Sequence, residues 1–294
     1  MTRDPEATRA PAERTRRRAA WELGAYIALT FGLTWGISAA LLAFPDQARA
    51  IIGPGRQLMS SWPIFVAIWA PTLSAIIVSL AFEGWGGLRA LAGRALRPAS
   101  VIWIGIALFT LPAAFLVLGL GERVVAPAAQ HFVDLRALAI GAPTLLYASV
   151  TSLAVVANGG LGEEPGWRGF ALPRLLRFMG PLPAALTLGV VWGVWHLPAF
   201  LAQGGLAQSR FGLFLVTIVA MSVFMTWICV RANGNFLVAG VIPHLIANLM
   251  GDAHVLTHDA DAVQAAVILA VAAMIVLASG PSLRGWRRTR VAPN

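Results

Sequence analysis

The run Leu161-Gly-Glu-Glu-Pro-Gly-Trp-Arg-Gly-Phe170 sets two adjacent carboxylates, Glu163 and Glu164, and one guanidinium, Arg168, at the end of a long apolar stretch. Two later apolar stretches hold His196 and the pair His244 and Asn248. Ionisable groups at membrane depth are costly, and they are rare unless they pair with each other or serve a hydrated functional cavity. On a helix, Glu164 and Arg168 stand one turn apart and pair on one face, which leaves Glu163 turned about 100° away for other work. His244 and Asn248 have the same spacing and point to one side of their helix. A carboxylate, two imidazoles and an amide suffice to hydrolyse an amide bond. The carboxylate takes a proton from water, an imidazole orients that water or protonates the leaving amine, and the remaining donors steady the oxyanion. No nucleophilic serine or cysteine arrangement is evident. Zinc held by Glu, His and His is the less favoured route, since the helical motif H-E-x-x-H is absent.

Taken singly, each group has a plainer reading: a solvated helix end for the glutamates, a packing residue for His196, a helix-to-helix hydrogen bond for His244 and Asn248. The combination points further. Three runs each carry polar groups beside a proline, namely Pro165, Pro198 and Pro243. Proline frees the carbonyl four residues back, which in lipid requires protein or cavity water to satisfy it.

These groups need a membrane scaffold. Of the 294 residues, 58% are hydrophobic and 12% charged, about half the charge of a soluble chain. The expectation is an all-α, polytopic membrane helix bundle with about eight transmembrane helices. Its spans fall near 22–44, 62–82, 101–120, 137–160, 182–202, 211–230, 236–252 and 262–279, each close to the ~20 residues that cross hydrocarbon. All the basic residues are arginine. With the amino terminus inside, all of them except Arg49, Arg56, Arg123, Arg136 and Arg210 fall on the cytoplasmic side, so both termini are expected there. The net charge of +9 therefore reads as membrane topology, and nucleic acid is not an expected partner. The domain layout is a disordered, arginine-rich tail over 1–20, one membrane domain over 21–280 and a basic tail over 281–294. The lone Cys229 excludes an internal disulfide framework.

The motifs resemble those of the CPBP intramembrane proteases, which include the CAAX prenyl endopeptidases and bacteriocin-processing or self-immunity proteins. E-E-x-x-x-R is matched by Glu163, Glu164 and Arg168, an aromatic four residues before histidine by the Trp192 and His196 pair, and H-x-x-x-N by His244 and Asn248. The motif-bearing part is 145–252. The resemblance implies a glutamate-dependent endopeptidase of the cell membrane, acting without a cofactor on a peptide or membrane-protein substrate. In it Glu163 and His196 would activate water, His244 and Asn248 would form the oxyanion site, and Glu164 and Arg168 would be an orienting pair. A zinc protease using the same residues, a transport protein, and a non-catalytic immunity protein are the competing readings.

Depth is a difficulty for this scheme. At 1.5 Å per residue, His196 lies ~21 Å into its span and His244 ~12 Å into its own, while Glu163 sits at an edge. The fourth span must carry Glu163 inward, and the fifth must begin outside the hydrocarbon. Two side sites complete the inventory. Asp252, His254, His258, Asp259 and Asp261 read as solvated loop residues rather than a metal site. The stretch from Ala171 to Met179 reads as an interfacial segment that snorkels Arg174 and Arg177.

Overall fold

A computed structural model describes residues 5–52, 61–141, 143–144, 147, 157–202, 210–257 and 259–283. The described residues form an all-α bundle of ten helices, and six of its helical stretches are long and apolar enough to cross a membrane. Helix α1 spans Pro5–Ala43, a short α2 covers Pro45–Ile52, α3 runs Trp62–Ala95 and α4 runs Val101–Val125. The motif-bearing helix, α5, is built of two wide π segments, Ala157–Leu161 and Pro165–Ala171, alternating with tighter turns at Gly162–Glu164 and Leu172–Leu175. Then come α6 (Pro181–Trp195), the short α7 (Leu197–Ala202) and α8 (Phe211–Arg231). Helix α9 opens as a π segment, Leu237–Val241, and continues over Ile242–Asp252, and α10 covers Ala260–Ser279.

Half of the expected fourth span lies outside the described residues. The seventh is present as α9, whose apolar part, Leu237–Gly251, is shorter than the other six. Proline shapes several of these helices. Pro63 stands in the first turn of α3, where its missing N–H costs nothing, and Pro71 lies inside the same helix. Gly84 then breaks α3 with φ +62°, a left-handed backbone that glycine adopts without a side-chain clash.

Packing divides the helices into a centre and a rim. α8 is held between α6 and α10, α1 lies along α3, and α3 packs on α5. The most apolar window of α8 is 56% buried and that of α4 only 17%, so α4 turns Phe109, Val117 and Leu120 outward toward lipid. The densest packing surrounds α5, where Trp167, Phe170 and Leu172 are completely buried and Tyr26 of α1 packs on both aromatic rings. A β-carbon at Gly166 would stand 2.5 Å from the Pro71 carbonyl, so only glycine lets α5 come this close to α3.

Two expectations need revision. Residues 5–20 are helical as the start of α1, not a disordered tail; alanine, arginine and glutamate are good helix formers, and Arg18 pairs with Glu22 one turn on. Arg174 does not snorkel. It is 3% exposed and bonded to Glu22 at 2.8 Å, because a buried carboxylate on α1 offers it a better partner than water. Arg177 is exposed as expected. Of the basic tail over 281–294, residues 284–294 lie outside the described residues.

Candidate active site

Helix α5 continues to Leu175, well past the hydropathic edge at Gly160. Proline at 165 has no N–H to give the Leu161 carbonyl, and the hydroxyl of Thr72 on α3 donates to it instead, at 3.0 Å. A protein side chain thus repairs the break that proline makes. The extended helix resolves the depth difficulty for the first two motifs. At the α-helical rise Glu163 lies about 18 Å above Leu175, and Trp192 about 17 Å above Pro181 at the start of α6. The two side chains meet there.

The adjacent carboxylates face different neighbours. Glu164 is fully buried, and its Oε1 accepts from Arg168 Nη1 at 3.0 Å and from His244 Nδ1 at 2.9 Å. Its Oε2 points at Gly240 of α9, where a β-carbon would stand 2.5 Å away. Glycine there is what lets the carboxylate sit against the helix. Arg168, also fully buried, lays its guanidinium 4.3 Å above the Trp192 ring. Glu163 is 5% exposed and accepts one neutral hydrogen bond, from the Trp192 indole N–H to Oε2 at 2.7 Å. The i, i+4 spacing correctly separates a paired glutamate from its neighbour.

His196 sits where α6 ends. Its backbone N–H bonds the Gly193 carbonyl, a tighter turn than the α-helical one, and so leaves the Trp192 carbonyl open. The ring fills that vacancy, with Nδ1 2.9 Å from Trp192 O. A carbonyl only accepts, so Nδ1 carries the proton and Nε2 of the neutral ring is a lone-pair acceptor. The ring is walled edge-on by Trp195 at 4.6 Å and Phe214 at 5.0 Å between centroids.

His244 and Asn248 project from one side of α9 toward Gly159. Gly159 has φ +100°, and a β-carbon on it would lie 3.4 Å from His244 Nε2 and 3.2 Å from Asn248 Nδ2. A side chain at 159 would be strained by its backbone and would press on both groups. His244 is 8% exposed, whereas Asn248 is exposed. Nδ1 of His244 is engaged by Glu164, so Nε2 is the nitrogen it presents.

Trp192 joins the groups. Its N–H reaches Glu163, its carbonyl holds His196, its ring lies under Arg168, and the ring centroids of His196 and His244 are 6.1 and 5.5 Å from its own. Glu163, Glu164, Arg168, His196 and His244 are therefore gathered around one indole, with Asn248 beside His244 at Gly159. The arrangement offers an oxygen of Glu163 and Nε2 of each histidine to a water or a substrate. The sequence marked Trp192 as an aromatic position only, and its donor role, together with Thr72, Gly159 and Gly240, was missed. Glycines beside an acidic pair and a proline were the available signal for the last two. Elsewhere, Asp261 faces Arg210 at 3.6 Å and His254 lies in a left-handed turn; His258 and the Asp252 side chain fall outside the described residues.

A known protein family matches the same stretch. Residues 145–250 match the family model described as type II CAAX prenyl endopeptidase Rce1-like. The curated CAAX prenyl protease 2 of Methanococcus maripaludis is 30% identical over 122 residues, which is 39% of this chain and 45% of that relative. The match thus spans a little under half the relative's length. The matched segment holds all six motif residues, gathered around Trp192 or Gly159, and it is this part of the chain that is similar to the type II CAAX prenyl endopeptidases.

Proposed function

We propose that this protein is an intramembrane endopeptidase that hydrolyses a peptide bond with water activated by Glu163 and His196. The observation that carries this reading is the Trp192 contact. It fixes one oxygen of Glu163 with a neutral donor and sets His196 on the same residue with Nε2 unprotonated. A water placed between them gives one proton to Glu163 and directs its other hydrogen to His196 Nε2. Its oxygen bonds the substrate carbonyl carbon, and the carbonyl electrons move to the oxygen. Asn248 Nδ2 and, when its ring carries both protons, His244 Nε2 are the donors for that oxyanion. Collapse then breaks the C–N bond, and the proton held by Glu163 passes to the leaving amine. Arg168 and Glu164 act at one remove, Glu164 by holding His244 through Nδ1 and Arg168 by holding Glu164.

The substrate class is a peptide or membrane protein whose scissile segment enters from lipid or from the cytoplasmic face. The protein resides in the cell membrane with both termini in the cytoplasm, the side on which its arginines concentrate. In the alternative mechanism Glu163, His196 and His244 would have to draw together to hold a zinc that polarises the water, since among the described residues they do not stand as a ready metal-binding group. The test is cleavage of a pool of synthetic peptides with apolar segments by purified protein in lipid, comparing wild type with Glu163→Gln and His196→Ala, with and without a chelator. Cleavage lost in both variants and retained under chelator is the expected result. Loss under chelator restored by zinc selects the metal mechanism, and undiminished cleavage by Glu163→Gln removes the protease reading.

A further inference from the structure

Helix α1 lies outside the matched segment, yet it reaches the turn that carries His196. The link begins at a proline. Pro71 leaves the Ala67 carbonyl of α3 without its helical donor, and Thr34 Oγ1 of α1 donates to it at 2.8 Å. The same hydroxyl oxygen accepts the Trp195 indole N–H at 2.8 Å. One residue on, Trp35 Nε1 donates to the Trp195 carbonyl at 3.2 Å. That carbonyl is open because Ala199 N–H bonds His196 O instead. Trp195 is thus held by α1 at its ring and at its backbone, and its ring forms the 4.6 Å edge-on wall of His196.

We infer that Thr34 is a positioning residue for the reaction, fixing Trp195 so that His196 keeps its Nδ1–H on the Trp192 carbonyl and its Nε2 toward the water. This rests on the role proposed for His196. The site requires a hydroxyl, since one group must donate to Ala67 O and accept from Trp195 at once. Valine matches threonine in shape and can do neither, which leaves two buried polar groups without partners. Serine can do both.

The experiment has two arms on full-length protein in lipid. Histidine-selective 15N NMR reads the tautomer of each ring, with His196→Gln assigning the signal. Thr34→Val is expected to shift the His196 signal from the pure Nδ1–H form toward a mixture of tautomers, and Thr34→Ser to keep the wild-type signal. In the second arm, kcat on the synthetic peptide pool falls about tenfold in Thr34→Val, with KM within about twofold, as expected for a small misplacement of a reacting group. Serine restores it to within about threefold. A wild-type His196 signal in Thr34→Val overturns the inference, as does a loss of kcat that serine fails to rescue. Because the NMR arm needs no substrate, it decides the positioning role even if Glu163→Gln cleaves normally and the protease reading falls.

Discussion

Two buried clusters of carboxylate and guanidinium lie along α5, and they differ in how completely the carboxylates are occupied. Toward the end of the helix, Glu22 of α1 is 1% exposed and spends both oxygens on guanidinium groups, Oε1 on Arg18 at 2.9 Å and Oε2 on Arg174 at 2.8 Å. Arg174 in turn reaches Glu83 at 3.3 Å and the Phe170 carbonyl at 3.1 Å. Glu22 thus has no oxygen left to offer a water or a substrate, and the cluster's effect is to clamp α1 and α3 to α5. Further up the same helix, Glu164 gives Oε1 to both Arg168 and His244 while its Oε2 is buried against Gly240 without a donor, and Glu163 beside it accepts only one uncharged N–H. Burial of charge is common to both clusters. A carboxylate with an oxygen to spare, facing imidazole nitrogens, belongs to one.

The sharpest way to test this division is Glu163→Gln. Glutamine keeps an oxygen for Trp192 and loses the ability to take a proton, so cleavage should fall about 10³-fold, the range of a lost general base. Thermal unfolding should stay close to wild type. Next in size is Arg168→Ala, which leaves Glu164 as a buried anion with only His244 beside it. The expected cost is about 3 kcal/mol of folding stability, with cleavage lost too because His244 loses its anchor. Unfolding by denaturant and cleavage by the folded fraction measure the two effects separately. Glu22→Gln should invert the Glu163 result. Removing one charge between two guanidinium groups should cost roughly 2 kcal/mol of stability, while kcat of the folded fraction stays within about twofold of wild type.

The sequence made the upper cluster legible and hid the lower one, for a physical reason. In a chain this apolar, Glu163, Glu164, Arg168, His196 and His244 stand out because membrane-depth charge is costly. Glu22 and Arg174 are 152 residues apart, and each sits at a hydropathic edge where an exposed charge is ordinary. Six of the eight expected spans stand among the described residues as helices long and apolar enough to cross a membrane, and the seventh as a shorter one, but the course of α5 was not readable from apolar lengths. Hydropathy drops at Glu163 although the helix continues, since its charges are satisfied by protein rather than by water. The π segments gave no periodic signal. Thr34, Thr72 and Trp35 were invisible for a related reason: each satisfies a carbonyl made available by a proline or a tight turn elsewhere in the chain, and only the folded structure brings donor and acceptor together.

The smallest expected effect tests whether the lower cluster is one unit or a buried pair with an accessory arm. Arg18 is 53% exposed at its side chain, donates to Glu22 and also to the Phe82 carbonyl, and can exchange both partners for water. An ion pair with one partner so exposed is worth about 0–1 kcal/mol. Arg18→Ala should therefore lower stability by no more than that and leave cleavage unchanged, because Arg174 still holds the buried oxygen of Glu22. A loss as large as that of Glu22→Gln would mean that the Glu22–Arg174 contact depends on the exposed arm. The lower cluster would then be cooperative from its solvent side inward, and the contrast with the sealed Glu164–Arg168–His244 group would have to rest on the unspent oxygen of Glu163 alone.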